Sequence, residues 1–461
     1  MLCSLEFVAI YNNELREDVM NRWFRFCVIV CCLVVMTPQV SLSAADAAAD
    51  NLELKADIKK QDHLFKAGEP VEFNITLLKD GKGVAGTKLG YMLEGDAAIT
   101  GPGKTETGSD GTATIKTRLD RPGFVRCTVS CKNAAGKEIQ KRIGAAIEPE
   151  KLLPGRTKPA DFDAYWDNII AESKALPFKV ELIPVPVANA NYQDKVEMFD
   201  VKINTLGDKP FIYGYLCLPK NAAPKSLPIV MSYQGAGFRS ASQTFFAASK
   251  GRMILDINAH GLLNGQSPEY YKKADQDNSD YRVRGSESRD TLYFRGMIIR
   301  AVRALQYMKT RTEWDGKTII VSGGSQGGGQ ALAVAGLDPD VTFCFAGVPA
   351  LTDHGGEVAG REGGWPKIIR TKKMDPAVIT ACDYIDAAFF ASRIRNAQCL
   401  LSVGFFDPVC PSSCVYAAYN SIPAKQKQII HDINSDHTMP QETFAIAEKA
   451  IEQHIQKNRQ K

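Results

Sequence analysis

At 461 residues the chain has the length of two or three domains. Hydrophobic residues make up 44% and charged residues 23%, the balance of a packed globular protein, which excludes a disordered or low-complexity chain. A net charge of only +4 excludes the strongly basic surface of a protein built to bind nucleic acid.

At the N-terminus, Arg22 and Arg25 precede the apolar run "FCVIVCCLVVM", and "TPQVSLSAADAAAD" follows. A basic flank, a short apolar centre and small residues around Ser43–Ala45 read as a secretory signal peptide over residues 1–45. The expected location is secreted or periplasmic. The run is short for a transmembrane helix, so no stable membrane insertion is expected, the alternative being an uncleaved anchor. Met20 would be a more conventional start, and no Cys follows a lipobox.

Residues 46–150 have a different texture. "LELKADIKK", "VEFNITLL", "LGYMLEG", "GTATIKTRL" and "GFVRCTVSCKN" alternate apolar and polar residues, with "KDGKG", "GPGKTETGSDG" and "DRPG" between them as turns. This is the pattern of a small antiparallel, Ig-like β-sandwich domain. No position in it gathers His, Cys and carboxylates into a catalytic set. Spacing, docking or carbohydrate contact are its open roles, and a structural appendage is the preferred one.

Pro149, Pro154 and Pro159 mark the join, and a helix is expected to begin near Asp161. Over residues 151–461 strands alternate with helices. "SLPIVMSY", "RMILDIN", "TIIVSG", "CFAGVP", "CLLSVGF" and "KQIIHDI" have strand length. "RGMIIRAVRALQYM", "GGGQALAVAGL" and "PQETFAIAEKAIEQHIQK" have helical apolar spacing. Apolar strands between helices imply an α/β fold, with a mostly parallel sheet covered on both faces.

Eight cysteines would remain after cleavage. Their irregular spacing reads as buried free thiols rather than a disulfide framework. Cys410 and Cys414 in "DPVCPSSC" come nearest to a pair, but a zinc site there lacks two further ligands. Neither a metal nor a cofactor is expected.

The chemistry concentrates in Gly323-Gly324-Ser325-Gln326-Gly327, a G-x-S-x-G motif between the strand "TIIVS" and the helix "QGGGQALAVAGL". That context is a nucleophile elbow, a tight turn that leaves the serine hydroxyl exposed. The alternative is an ordinary glycine-rich turn. A serine needs a base, and the α/β-hydrolase order places an acid and then a histidine after later strands. Asp407 follows "CLLSVGFF" and His437 follows "KQIIHDINSD", so Ser325, Asp407 and His437 are the expected catalytic residues, with Asp436 the second choice for the acid. Of the six histidines, His431 sits in an apolar run, His63 in the sandwich and His454 near the C-terminus; His260 and His354 stand in the wrong order. The oxyanion needs two donors. The main-chain N–H of Gln326 is one; "PIVMSYQGAGF" offers the other, assigned to Tyr233 at the strand end.

The stretches "KPADFDAYWDNIIAESKALP", "SYQGAGF", "SGGSQGGGQALAVAGL" and "SVGFFDPVCPSSCVYAAYN", with the His437 loop, resemble the acetyl xylan esterases and cephalosporin C deacetylases of carbohydrate esterase family seven. The likeness runs from about Arg156 to the C-terminus. It implies an α/β-hydrolase fold, deacetylation of sugars without a metal, Ser325, Asp407 and His437 as triad, and Gln326 and Tyr233 at the oxyanion hole. Two departures stand out. Where the family has Arg-Gly-Gln this chain has His260, Gly261 and Leu262, and where the family has Glu after its histidine this chain has Thr438. Because Arg-Gly-Gln contributes to assembly in the family, a homo-oligomer stays open here. The polar segment "SPEYYKKADQDNSDYRVRGSESRDTLYFRG" either borders the substrate pocket or is a solvated loop.

The expected function is a secreted serine esterase that deacetylates xylan-derived or other acetylated oligo- or polysaccharides. A peptidase or an esterase for other acyl groups on the same fold is one alternative. A non-catalytic carbohydrate-binding protein is another.

Overall fold

The computed structural model describes residues 51–96, 101–207, 209–371 and 373–460. The expected signal peptide, residues 1–45, lies outside the described residues. Among the described residues, no helix is long and apolar enough to cross a membrane.

The first strands are β1 (Leu52–Asp57), β2 (Leu64–Phe65), β3 (Val71–Lys79), β4 (Lys82–Gly83), β5 (Lys88–Gly95), β6 (Gly101–Glu106), β7 (Thr112–Thr117), β8 (Gly123–Lys132) and β9 (Glu138–Ile147). One sheet joins β1, β3 and β4, with β7 also on β3; the other runs β2-β9-β8-β5-β6. Alternation drives them together. Val71, Phe73, Ile75 and Leu77 of β3 share one apolar core with Val125, Cys127 and Val129 of β8, every second side chain pointing inward. The pairing is not wholly antiparallel as expected. β2 runs parallel to β9, because this two-residue edge strand is not joined to its neighbour by a hairpin.

The second group is β10 (Val180–Pro184), β11 (Val196–Asn204), β12 (Phe211–Pro219), β13 (Leu227–Tyr233), β14 (Met253–Ile257), β15 (Trp314–Gly324), β16 (Phe343–Gly347), β17 (Gln398–Gly404) and β18 (Lys427–Asp432). They form one sheet in the order β10-β11-β12-β14-β13-β15-β16-β17-β18. From β14 to β18 every neighbour is parallel. β10, β11 and β12 extend the sheet antiparallel and are additional to the strands expected from the sequence. The helices are α1 (Phe162–Ala175), α2 (Phe245–Ala248), α3 (Pro268–Asp277), α4 (Tyr293–Met308), α5 (Gln326–Leu337), α6 (Pro376–Asp383), α7 (Ala387–Ala391), α8 (Ser412–Ser421) and α9 (Gln441–Arg459).

Packing follows from side-chain periodicity. On α1, Phe162, Trp166, Ile169 and Ile170 make one buried stripe. Every residue of α5 is buried, as expected of a helix that is apolar all round, and its glycines and alanines let it lie close to the sheet. β14 lies on one side of β13 and β15 on the other, so the chain reverses its winding at β13. In open α/β sheets such a switch point opens a crevice at the strands' carboxyl ends.

Candidate active site

β15 delivers Ser325 into that crevice, and α5 starts at the next residue. Ser325 has φ 54° and ψ −124°, a strained backbone for a residue with a side chain. Its N–H donates to Gly347 O at 2.9 Å and its carbonyl accepts from Ala350 N at 2.9 Å, so the turn is pinned to the exit of β16. A Cβ on Gly323 would lie 2.8 Å from Tyr233 O, and one on Gly327 would lie 2.7 Å from the Tyr233 carbonyl carbon. Only glycine lets strand and helix approach this closely.

Asp407 follows β17 and is fully buried. Its Oδ1 accepts N–H bonds from Val409 and Cys410, each 2.8 Å. Its Oδ2 lies 2.7 Å from His437 Nδ1. The His437 loop leaves β18 and is tied back where Phe406 N donates to Ser435 O at 2.9 Å. His437 Nε2 lies 2.8 Å from Ser325 Oγ. A carboxylate can only accept, so Nδ1 carries the proton and Nε2 is left to accept from the serine hydroxyl. The three side chains thus meet in a single hydrogen-bonded line.

Asp436 does not join it. Its Oδ1 accepts from the Thr438 hydroxyl at 3.0 Å, and its Oδ2 lies 3.6 Å from Arg142. The other histidines are engaged elsewhere: His431 Nε2 lies 2.6 Å from the Tyr416 hydroxyl, and His63 Nδ1 2.9 Å from Gly144 O. His354 is buried, and burial pushes its imidazole down to about 4.

The main-chain N–H of Gln326 opens α5, where no intrahelical acceptor exists, so it is free to face developing negative charge. Tyr233, assigned as the second donor, is the last residue of β13, and its carbonyl lies against Gly323 and Gly327 on either side of Ser325. It is the last paired residue of the strand, opposite Ile257 of β14 and Gly323 of β15. The turn Gln234 to Gly237 follows Tyr233 directly. Asp256 holds that turn in shape. It accepts from the Ser232 hydroxyl at 2.6 Å, Gln234 Nε2 at 3.1 Å and Ser242 N at 2.9 Å. Burial pushes its carboxyl up to about 6. Sequence reasoning passed over Asp256; the signal was a single acid inside the apolar run "MILDI".

His260 is buried, stacked on Phe238 with ring centroids 3.9 Å apart, and its Nδ1 lies 2.8 Å from the Tyr293 hydroxyl. Burial, reinforced by Arg300 and Lys209, holds it well below the usual imidazole range, so it stays neutral. The polar segment that follows is more than a solvated loop. It forms α3, then turns Tyr281 inward against Phe238 and His260.

Among the described residues, Asp407, Cys410 and His437 bring potential ligand atoms within 4.8 Å of one another. The set does not suit a metal. Burial and the Asp407 charge push the Cys410 thiol well above its usual range, and a protonated thiol is a weak ligand. The Asp407 and His437 atoms already bond each other. The eight cysteines of the described residues are all buried and unpaired.

A parallel sheet in this order, with an elbow at the exit of a central strand, belongs to an α/β-hydrolase. The family can be stated as well: the chain belongs to the acetyl xylan esterase (AXE1) family, whose sequence model matches residues 148–451, and it is a carboxylic ester hydrolase. Acetyl esterase Axe7A of Xylanibacter ruminicola is 32% identical over 418 residues, which span 87% of this chain and 92% of that protein. The acetyl xylan esterase of a Paenibacillus species superposes with a TM-score of 0.56 at 25% identity, over 66% of this chain and 98% of that one. Acetyl xylan esterase 1 of a Thermoanaerobacterium species shares the fold, with a TM-score of 0.55 at 22% identity over 67% and 98% of the two chains. The match to the Xylanibacter enzyme is too long for residues 148–461 to supply alone, so it reaches into the N-terminal sheets.

Proposed function

We propose that the chain is a secreted or periplasmic serine esterase that removes O-acetyl groups from xylan-derived or other acetylated carbohydrates. The observation that carries this reading is the pair of short bonds around His437, 2.8 Å to Ser325 Oγ and 2.7 Å to Asp407 Oδ2. The family and the acetyl esterase relative support the acetyl group as the one removed.

In this reading Ser325 Oγ attacks the ester carbonyl as His437 Nε2 takes its proton. The imidazolium is stabilised by Asp407, which keeps its negative charge. The carbonyl oxygen becomes an oxyanion held by main-chain N–H groups, that of Gln326 and that of Tyr233 at the end of β13. The C–O bond to the sugar breaks, and the His437 proton passes to the departing sugar oxygen. Water then attacks the acetyl-enzyme, giving its proton to His437; the bond from Ser325 Oγ to the acetyl carbon breaks, acetate leaves, and His437 returns that proton to Ser325 Oγ. The N-terminal pair of sheets is read as an Ig-like accessory domain over residues 46–150, with the catalytic domain over 151–461.

The test is acetate release from acetylated xylo-oligosaccharides, with Ser325→Ala and a series of 4-nitrophenyl esters beside it. Release that disappears in Ser325→Ala is expected. Cleavage of small esters without release from the sugar would keep the mechanism and overturn the substrate. Turnover unchanged in Ser325→Ala would overturn the mechanism.

A further inference from the structure

The two side chains that flank the serine come from separate loops. Asp407 follows β17 and His437 follows β18, so both bonds of the line hold only if those loops keep register with each other. Main-chain contacts do part of this. Phe405 N donates to Asp432 O at 3.2 Å, and Gly404 lies so close to the His437 loop that a Cβ there would stand 2.9 Å from Ser435 O. The remaining support comes from the N-terminal sheets. Phe124 of β8 meets Phe405 edge-on, with centroids 5.0 Å apart. Gly144 of β9 lies so near that a Cβ there would stand 3.0 Å from Phe405 Cβ. Two residues earlier on β9, Arg142 sets its guanidinium over the ring of Phe406 at 5.2 Å, and its Nη2 lies 3.6 Å from Asp436 Oδ2.

Those two partners are the immediate chain neighbours of Asp407 and His437. The Asp436 carboxylate also takes the Thr438 hydroxyl, so it spans both sides of His437. We propose that Arg142 is a positioning residue of the ester-hydrolysing site: from the N-terminal sheets it ties the loop bearing Asp407 to the loop bearing His437. The proposal rests on the triad reading above, and it gives the N-terminal sheets a part in turnover beyond spacing. Arg suits the task because its plane stacks on an aromatic ring while its edge faces a carboxylate. Its side chain is 37% exposed, so its removal leaves no buried unpaired charge and the fold is retained. An exposed ion pair by itself contributes little; the effect comes from joining two loops whose relative placement sets the reaction geometry.

The experiment is steady-state hydrolysis of 4-nitrophenyl acetate by the full chain carrying Arg142→Ala or Arg142→Lys, with urea unfolding of each. In Arg142→Ala, kcat is expected to fall about tenfold with KM little changed, as for a small misalignment of reacting groups. The urea midpoint should stay at the wild-type value, and Arg142→Lys should recover kcat only in part, because an ammonium keeps the charge facing Asp436 but cannot stack its plane on Phe406. In an Asp436→Asn background the same Arg142→Ala change should cost clearly less, because its partner is already gone. Wild-type kcat in Arg142→Ala overturns the proposal. So does a loss of kcat that tracks a lowered urea midpoint, or one that is equally large in the Asp436→Asn background. Ser325→Ala separates the two readings: turnover surviving in it overturns the triad itself, whereas a dead Ser325→Ala beside an unaffected Arg142→Ala overturns only the role of Arg142.

Discussion

Gly327→Ala tests whether the close approach of α5 to β13 shapes the site. The added methyl would stand 2.7 Å from the Tyr233 carbonyl carbon, nearer still to its oxygen, and 3.0 Å from the Gln234 carbonyl carbon, against 3.4 Å for ordinary contact. All three atoms are main chain, so no side chain can swing aside. The start of α5 has to move off the end of β13 by about 0.7 Å or more, the shortfall at the Tyr233 carbon. Overpacking of that kind costs about 1–3 kcal/mol of stability. The motion also carries Ser325 and the Gln326 N–H away from a histidine now 2.8 Å from the serine oxygen. Misplacement approaching 1 Å costs roughly a hundredfold in rate. The assay is kcat/KM on 4-nitrophenyl acetate together with the urea midpoint. Gly90→Ala serves as control, because a Cβ there meets nothing nearer than Ser130 Oγ at 3.8 Å. A Gly327→Ala enzyme with wild-type kcat/KM and midpoint would refute the packing argument.

Two further predictions concern carboxylates. Asp407→Asn places an amide where one face must accept from Val409 and Cys410 N–H and the other from His437 Nδ1–H, which an amide cannot do on both sides. The imidazole then takes the wrong tautomer, and kcat should fall about ten-thousand-fold with the urea midpoint little changed; a loss below tenfold would remove Asp407 from the relay. Asp96 is buried at the end of β5, and burial pushes its carboxyl up to about 6, against the opposing pull of Arg126. A raised carboxyl means the native state holds a proton that the unfolded chain has released, so stability falls as pH rises from about 4 to about 6. The drop is at most about 3 kcal/mol, because each tenfold difference in proton affinity between the folded and unfolded chain is worth about 1.4 kcal/mol. Urea midpoints across that window should fall in the wild type and run flatter in Asp96→Asn; parallel curves would refute the assignment.

What the sequence disclosed, and what it withheld, follows from the range of the physics involved. The elbow was legible because its determinants are local: strand, five-residue turn and helix are contiguous, and glycine at 323 and 327 records a close approach between neighbouring elements. Asp407 and His437 were legible because each stands at the exit of an apolar strand-length run and few histidines compete. β11 and β12 were passed over although β11 buries Val196, Met198, Val201 and Ile203. Its alternation breaks at Phe199 and Asp200, and β12 is buried at five consecutive residues, Gly214 to Leu218, so neither shows a clean period of two. Tyr233 was legible as a strand end, because the apolar run stops there and a glycine-rich turn follows. Arg142 was out of reach altogether. An arginine on a strand of alternating polarity looks like solvated surface, and its partners Phe406 and Asp436 are more than 260 residues away in the chain. What such a residue contributes is decided by where the N-terminal sheets dock, and the docking surface is written in Phe124 and Gly144, whose buried neighbour Phe405 stands two positions before Asp407.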